Sequence, residues 1–366
     1  MQPCRLHNPE SRELPHRPPA SRCNIAGEMK TQFLRSLLLP LAILSLSASA
    51  QTPTHTSIGT PGHLIVANKG DASIGIVDTT AGRQLSIVAE GGITGHEVAV
   101  SPDGHTAYVP IYGNAGVATA GTDGTNMVVI DLRSGKVTGN IDFGHGVRPH
   151  YPIYDPVNHV LYVTTELDKT VSIIDPATLK IIGTIPTTQP QSHVLAISHD
   201  GRRGYTANVS AGNLSVLDLK TRKFLTVIPI SGNTQRVSVS MDDKMVFTAD
   251  QTKPQLAVVN ATTNTLKTWV PLPAIGYGTS PSPDGHWLLV AIPTKNQVAV
   301  VDLATLTVAK TIDVAKEPQA IVVRPDSKEA YASCRASNQV AVIDLTTWKV
   351  HYIDTGKGVD GMAWAK

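Results

Sequence analysis

The sequence predicts an all-β protein, a seven-bladed β-propeller in which each blade is a sheet of four antiparallel strands. One short pattern recurs seven times, its period is nearly constant, and turn residues separate the apolar stretches within each copy. The copies close with an acid or amide at Asp78, Asp131, Asp175, Asp218, Asn260, Asp302 and Asp344. Successive ends lie 53, 44, 43, 42, 42 and 42 residues apart, a period typical of repeat architectures.

Composition and turns predict the strands within each copy. Short stretches rich in Val, Ile, Thr and Tyr, such as 193–198 and 203–208, alternate with Asp, Gly and Pro, which is typical of a strand meander. The Ser-Pro-Asp-Gly turns at 101–104 and 282–285 place Pro where φ is preset and Gly where φ must be positive. The acids that close each copy are expected to bond their own downstream backbone, so we assign them no catalytic role.

The two ends of the repeat region predict how the ring closes. The first copy begins at its second strand, near Leu64, and the last continues beyond its fourth strand into G-V-D-G-M-A-W-A at 358–365. One C-terminal strand is therefore expected to pair with three N-terminal strands, which removes two exposed sheet edges. The propeller is predicted to span residues 63–366.

The N-terminal residues predict export. Residues 1–28 are polar and lack periodicity, and we interpret them as a non-native upstream extension. Residues 29–50 combine a charged start, an apolar run and an Ala-Ser-Ala end, the pattern of a signal peptide cleaved after Ala50. Residues 51–62 are then a short linker, and the mature protein is expected to be secreted or periplasmic, without a membrane span. A disordered tail before an uncleaved anchor is the alternative.

Charge and cysteine content exclude some partners and cross-links. The formal net charge is +2 and no basic stripe occurs, which disfavours nucleic acid as a partner. Cys334 is the only cysteine after residue 28, so no internal disulfide is expected in the mature chain. We interpret it as a small, half-buried hydrophobe. The protein is predicted to be a monomer.

The strand motifs resemble those of a known repeat family. A-Y-V at 107–109 and L-Y-V-T-T at 161–165, with a Ser-Pro-Asp-Gly turn before and V-x-V-I-D after, resemble the YVTN family of β-propeller repeats over about 300 residues. That family is similar to the haem-d1 domain of cytochrome-type nitrite reductase, the nitrous oxide reductase propeller and the lactonase propellers. The resemblance implies the fold and says little about activity. The chain has no C-x-x-C-H, so no covalent c-type haem is expected.

Seven equivalent positions predict where a ligand binds. Six residues before the Pro position of the Ser-Pro-Asp-Gly turn, each copy places a polar or aromatic residue at the start of its first strand. These residues are His96, His150, His193, Gln235, Tyr277, Gln319 and Asp360. Since first strands begin at one mouth of the central channel, the histidines are expected on three consecutive blades, with the acid beside the first.

The three histidines predict a divalent metal ion at the channel mouth. Three imidazoles and an open position are the ligand set of catalytic Zn and of several Cu and Mn sites. Glu97 is the candidate general base. The predicted ligand-binding residues are Arg148, Gln235, Arg236, Tyr277, Gln319 and Asp360, with the two arginines suited to a carboxylate or phosphate. A metal-free polar pocket and histidines without any ligand are the alternatives.

One insertion and a ring of loops are expected at the same mouth. Residues 112–126 lengthen the connection between the second and third strands of the copy with His96. Insertions in repeat proteins often lie on the binding face, and the Gly, Ala and Thr content suits a flexible flap; a tolerated surface excursion is the alternative. The other loops contribute Lys69, Asp71, Glu166, Asp168, Asn208, Asp250, Lys295 and Arg335. This mixed charge favours a polar or sugar-like ligand.

Three functions fit these observations. The first is a metal-assisted enzyme that opens a lactone or eliminates across a uronate-type sugar, an analogy drawn from fold alone. The second is a non-catalytic module that presents the channel face to a protein, glycan or cofactor. The third is a copper-handling or electron-transfer accessory protein, although the mouth lacks the Cys or Met cluster that Cu(I) prefers. No motif in the sequence decides whether the protein is an enzyme.

Overall fold

Each repeat folds as the predicted antiparallel meander. The computed structural model describes residues 62–366, which form seven four-stranded sheets. The fold prediction is confirmed. The predicted extension 1–28, the signal peptide 29–50 and all of the linker except Gly62 lie outside the described residues. Within the described range, no helix combines the length and the apolar content that crossing a bilayer requires.

The blades are numbered in chain order, with the first strand of each at the channel. Blade 1 has β28 (Val359–Ala365), β1 (His63–Asn68), β2 (Ser73–Asp78) and β3 (Arg83–Ala89). Blade 2 has β4 (Ala99–Val100), β5 (Thr106–Gly113), β6 (Asp123–Asp131) and β7 (Lys136–Asp142). Blade 3 has β8 (Pro149–Asp155), β9 (Val160–Thr165), β10 (Thr170–Asp175) and β11 (Lys180–Pro186). Blade 4 has β12 (Ser192–Ile197), β13 (Arg203–Asn208), β14 (Asn213–Asp218) and β15 (Lys223–Pro229).

The last three blades repeat the arrangement. Blade 5 has β16 (Ser238–Val239), β17 (Met245–Ala249), β18 (Gln255–Asn260) and β19 (Thr265–Pro271). Blade 6 has β20 (Thr279–Pro281), β21 (Trp287–Ile292), β22 (Gln297–Asp302) and β23 (Thr307–Asp313). Blade 7 has β24 (Pro318–Val323), β25 (Glu329–Cys334), β26 (Gln339–Asp344) and β27 (Val350–Asp354). Short 3-10 turns at Lys69–Asp71, Pro293–Lys295 and Arg335–Ser337 join the second and third strands of blades 1, 6 and 7.

The C-terminal strand closes the ring as predicted. β28 pairs antiparallel with β1, with His63 opposite Ala365 and Ile65 opposite Ala363. The Trp364 ring stacks on Tyr331 of blade 7, with centroids 5.5 Å apart. The last strand of the chain thus completes the first blade and also packs against the seventh.

Apolar clusters between neighbouring blades hold the ring together. Seven such clusters occur within the described residues, one for each pair of adjacent blades, including the pair of blades 7 and 1. The second and third strands supply most of these side chains, whereas the fourth strands are largely exposed. Each fully buried Val, Leu or Ile contributes about 1.5–3 kcal/mol. Cys334, expected to be half-buried, is a fully buried free thiol inside the cluster between blades 6 and 7, and burial raises its pKa to about 11.

The acids that end the third strands stabilise turns, as expected. The Asp78 carboxylate accepts the backbone N–H groups of Thr80 and Ala81, both at 2.9 Å, and Asp302 and Asp344 make the same pair of bonds in their own blades. Such side-chain to backbone bonds satisfy donors that the turn leaves free. These acids have a structural role.

The insertion in blade 2 is shorter than the sequence suggested. β5 and β6 both extend into it, with Gly113 paired to Asp123, so residues 114–122 alone form its tip. The insertion is therefore a lengthened β-hairpin with a short tip.

Candidate functional site

The predicted first-strand positions converge on the channel from several blades. The backbone N–H of Gly361 donates to the carbonyl of His96 at 2.8 Å, which sets β28 and its Asp360 beside blade 2. Gln319 is buried, whereas Gln235 and Tyr277 are partly exposed. Neither glutamine side chain makes a hydrogen bond within residues 62–366. The residues at these positions are therefore buried in blades 1–4 and 7 and partly exposed in blades 5 and 6.

The three histidines form one contiguous cluster. His96, His150 and His193 are 7%, 1% and 4% exposed. Nε2 of His96 lies 2.8 Å from Nε2 of His150, and the His150 ring stacks on the His193 ring with centroids 3.5 Å apart and planes 19° apart. Equivalent positions on consecutive blades therefore place their imidazoles in direct contact.

Hydrogen bonds fix the tautomer of the central histidine. Nδ1 of His150 lies 2.9 Å from the carbonyl oxygen of His193, an acceptor, so Nδ1 carries the proton. In the neutral ring Nε2 then carries a lone pair, and Nε2–H of His96 donates to it. Nδ1 of His96 is buried with no hydrogen-bond partner. The cluster leaves an unsatisfied ring nitrogen, which is rare in a protein interior.

Two residues outside the predicted set complete the cluster. Oε1 of Glu166 contacts Nδ1 of His193, and the hydroxyl of Tyr112 donates to Oε2 of Glu166 at 2.8 Å. The Tyr112 ring meets the rings of His96, His150 and His193 nearly perpendicularly, with centroids 5.3, 5.4 and 6.2 Å away. The sequence placed Glu166 on the rim and Tyr112 in the insertion, without assigning either to the site.

Their positions follow from the strands that precede them. Tyr112 lies near the end of the extended β5, and Glu166 directly follows β9, the second strand of blade 3. Second strands end at the face where first strands begin, so side chains at these ends reach the channel mouth. The signal in the sequence that could have identified Glu166 is its position directly after the Y-V-T-T motif at 162–165.

One set of three side chains has the spacing of a metal site. The ligand atoms of His150, Glu166 and His193 all lie within 4.8 Å of one another, and all three residues are buried. His96 touches His150 but lies outside this set. The set of three histidines stays a prediction, while the described geometry favours two histidines and one carboxylate.

Burial keeps the imidazoles neutral. The pKa of each of the three histidines is lowered well below its ordinary value, first by burial and then by neighbouring positive charge. The pKa of Glu166 is raised by burial, an effect that His150, Tyr112 and Arg148 oppose. Neutral imidazole is the form that binds metal ions, so the site needs little deprotonation before it can bind one.

A second polar cluster spans the channel. Arg236 of blade 5 reaches Glu97 of blade 2, with Nη2 2.6 Å from Oε1, and lies 3.6 Å from Oδ1 of Asp360. Its guanidinium also lies over the Tyr277 ring, 5.1 Å from the centroid. Burial raises the pKa of Glu97 to about 7, although Arg236 opposes that shift. Glu97 does turn inward, but an arginine already holds it.

Arg148 faces the insertion. Its backbone has φ +49°, a left-handed conformation uncommon for residues other than glycine. Nε of Arg148 lies 2.6 Å from Asp123, and Nη2 donates to the carbonyl of Thr119 at 2.8 Å. This arginine, predicted to bind ligand, fastens the hairpin tip in this structure.

The fold and the cluster define a β-propeller with a buried histidine and carboxylate site in the mouth of its channel. Residues 154–283, about a third of the chain, match the family model described as Cytochrome D1 heme domain. The match confirms the predicted similarity to haem-d1-type propellers over those residues.

Structural similarity extends over most of the chain. Among the many solved structures that share the fold, the Kuenenia stuttgartiensis hydrazine synthase aligns with a TM-score of 0.65 and 18% identity, covering 82% of this chain and 99% of that chain. At that identity the likeness establishes the fold alone. No curated protein matches the sequence.

Proposed function

We propose that this protein binds a divalent metal ion in the mouth of its channel through His150, Glu166 and His193. The observation that carries the proposal is the convergence of these three buried side chains, with ligand atoms within 4.8 Å of one another. Two imidazole nitrogens and one carboxylate oxygen are the ligands of many catalytic zinc and non-haem iron sites.

Hydrogen bonds around the set support it. Metal-binding histidines usually donate their other ring N–H to a carbonyl or carboxylate, which fixes the ligand nitrogen. His150 donates to a backbone carbonyl in this way, and Tyr112 holds the Glu166 oxygen that faces away from His193. The set has the outer contacts that a metal site requires.

His96 is placed to join as a fourth ligand. Two nitrogens on one tetrahedral ion, each about 2.0–2.1 Å from it, lie roughly 3.3 Å apart. The corresponding nitrogens of His96 and His150 are 2.8 Å apart, so a small separation of the two rings would admit an ion. To bind the ion through Nε2, His96 would also have to change tautomer, so that its proton moves from Nε2 to Nδ1. Nδ1 has no hydrogen-bond partner in this structure.

The same residues do not fit a haem. A macrocycle needs a planar slot beside its axial ligand, but the His150 and His193 rings are in contact and Arg236 spans the channel to Glu97. The donor set favours a single ion.

The ligand types favour Zn or Mn over Cu(I). Imidazole and carboxylate suit Zn and Mn, whereas Cu(I) prefers thiolate or thioether. A bound ion of this kind polarises a carbonyl and lowers the pKa of a bound water. The partly exposed Gln235 and Tyr277 offer a polar approach from blades 5 and 6. This supports metal-assisted lactonase-type or lyase-type chemistry on a polar small molecule or glycan.

Metal analysis tests the proposal. Protein purified without a histidine tag and incubated with Zn²⁺ or Mn²⁺ is expected to retain about one ion per chain. His150→Ala should lose it, whereas His351→Ala, on the exposed β27, should retain it. Less than a tenth of an equivalent of every metal tried in the wild-type protein would contradict the proposal.

Activity assays separate the enzyme from the alternative of a binding module. Metal-loaded protein is tested for lactone opening by proton release and for uronate elimination by the absorbance of the unsaturated product. Turnover that disappears in His150→Ala supports catalysis. Metal binding without turnover of either class favours a non-catalytic module.

Export is a separate proposal. The N-terminal pattern predicts cleavage after Ala50. Sequencing of the protein recovered from the periplasm or medium should begin at Gln51. Retention of residues before Gln51 in that fraction would contradict the predicted cleavage site.

A further inference from the structure

Part of the channel wall carries hydrogen-bonding groups that no other residue satisfies. Gln235, Gln319 and Asp360 occupy the equivalent first-strand positions of blades 5, 7 and 1. Within residues 62–366, neither glutamine side chain makes a hydrogen bond, and Oδ1 of Asp360 is buried without a hydrogen-bond partner. Buried polar atoms without a partner are rare in native proteins, so this part of the wall has spare capacity for a polar ligand.

Arg236 adds an unpaired donor beside Asp360. Its Nη2 donates to Oε1 of Glu97 at 2.6 Å, whereas Oδ1 of Asp360 lies 3.6 Å from the same nitrogen, beyond hydrogen-bond distance. Nε of Arg236 is buried with no partner among the described residues. The guanidinium is thus engaged with Glu97, while its Nε–H and the neighbouring Oδ1 of Asp360 both remain unpaired.

One ligand atom can contact both side chains. Two atoms 3.6 Å apart can each lie about 2.8 Å from a single oxygen, which is an ordinary hydrogen-bond distance. The side chains of Arg236 and Asp360 are 9% and 6% exposed, so the pair keeps a small exposed edge. The last torsion of an aspartate side chain has broad minima, so Oδ1 can rotate toward that edge while β28 stays in place.

The two unpaired atoms specify the kind of group that binds. An anionic group would leave the acceptor Oδ1 unpaired and would face the carboxylates of Glu97 and Asp360. A cationic group would leave the Nε–H of Arg236 unpaired. A hydroxyl both donates and accepts, so it satisfies the two atoms at once. The amides of Gln235 and Gln319 also combine donors with an acceptor, which favours a ligand with several hydroxyls.

We propose that Arg236, Asp360 and the two glutamines form a subsite for the hydroxyl groups of a neutral sugar. One hydroxyl donates to Oδ1 of Asp360 and accepts from Arg236, and further hydroxyls bind Gln235 and Gln319. The inference goes beyond the proposed metal site, because none of these residues belongs to the metal-binding set. An ordered water is the alternative occupant, and the test separates it from a sugar.

Saturation-transfer NMR titrations of metal-free, full-length protein test the subsite. The probes are the methyl β-pyranosides of xylose, glucose and galactose, with tetrahydropyran as the same ring without hydroxyls and acetamide as a neutral amide. At least one glycoside is expected to show saturable binding, and tetrahydropyran none. A hydrogen bond to a charged group changes affinity by about 10-fold to 100-fold, so Asp360→Ala should weaken binding of that glycoside by at least about tenfold.

Asp354→Ala is the matched control. Asp354 is exposed on β27 and accepts a hydrogen bond from Gln339, so its loss should leave glycoside affinity unchanged. The Asp360 carboxylate makes no hydrogen bond within the described residues, so Asp360→Ala is expected to remain folded. Urea unfolding of both variants checks that they do.

Each failure has a separate meaning. If no glycoside binds saturably to the wild-type protein, water alone occupies the site and the subsite is overturned. Equal binding by Asp360→Ala also overturns it, as does a preference for acetamide over every glycoside. These titrations contain no metal, so Mn²⁺ retention, measured separately, tests the metal site independently. The wild-type comparison with tetrahydropyran decides even where a variant fails to fold.

Discussion

Nε2 of His96 and Nε2 of His150 face each other across 2.8 Å, and only one of them carries the proton between them. His150 holds its own proton on Nδ1, through the carbonyl of His193, so the shared proton belongs to His96. A metal ion at this point would displace that proton. His96 is therefore either a fourth ligand or a neighbour of the set, and variants separate the two.

Alanine variants separate a ligand from a neighbour. If His150, Glu166 and His193 are the ligands, Glu166→Ala should lower Mn²⁺ or Zn²⁺ affinity by more than about 100-fold. Loss of a residue that only hydrogen-bonds to a ligand typically lowers metal affinity by about 10-fold to 100-fold. His96→Ala should lower it by no more than about tenfold. Competition with a chromogenic chelator measures both. A larger loss in His96→Ala than in Glu166→Ala would favour the three-histidine set instead.

Tyr112 is expected to matter for stability as well as for the ion. Tyr112→Phe leaves Oε2 of the buried Glu166 without its hydroxyl donor, which should cost about 1–3 kcal/mol of unfolding free energy in the metal-free protein. Metal affinity should fall by about 10-fold to 100-fold, as for other outer contacts. Urea unfolding and chelator competition provide the measurements. Tyr352→Phe, on an exposed side chain, is the control and should change neither quantity.

Glu90 should make stability depend on pH near neutrality. Its Oε1 accepts a hydrogen bond at 2.5 Å from the backbone N–H of Gly95, the residue directly before His96. Its Oε2 is buried and has no hydrogen-bond partner within the described residues. Burial raises its pKa from 4.5 to about 7. The folded state therefore holds this proton more tightly than the unfolded state, so stability falls as pH rises from about 4.5 through 7.

Glu90→Gln isolates that contribution because the amide does not titrate. At pH 8 the variant is expected to be more stable than wild type by up to roughly 3 kcal/mol, and at pH 4.5 the difference should vanish. Urea unfolding across this pH range measures it. A difference that is constant with pH would show that Glu90 does not titrate between the folded and unfolded states.

Arg148 should control access of proteases to the hairpin tip. Arg148→Met removes the ion pair with Asp123 and the bonds to the carbonyls of Gly116 and Thr119. We expect subtilisin to cleave within residues 114–122 about tenfold faster than in wild type. A loss of about 1.4 kcal/mol in local stability makes the locally unfolded, cleavable form of the tip about tenfold more populated. Mass spectrometry locates the cut. Arg133→Met, which removes an exposed pair with Asp131, should cleave at the wild-type rate.

The repeat pattern predicted the fold because each blade uses the same local rules. Alternating apolar residues, Asp-capped turns and a spare C-terminal strand are all visible in the sequence, and the ring follows from them. The comparison of copies also identified His96, His150 and His193 as equivalent residues. Equivalent backbone positions on consecutive blades meet in the channel, so their contact was predictable.

Side-chain direction in the connections was not predictable. Glu166 contacts His193 from the position directly after β9, and Arg148, whose backbone is left-handed, pairs with Asp123 of the insertion. Arg236 meets Glu97 across the ring, 139 residues away in sequence. No periodicity encodes such a contact. The contacts of Glu97, Arg148 and Arg236, three residues predicted to act in the site, therefore depend on loop and cross-channel geometry that the repeats do not contain.

Closure by β28 has a consequence for synthesis of the chain. β1 has no partner on its channel side until residues 359–365 exist, so the strands of blades 2–7 are translated while that strand edge stays open. The same seven residues deliver Asp360 to the channel. The polar interior at that level is therefore completed only after residue 360 has been made, and a chain truncated before residue 359 lacks both the closing strand and Asp360.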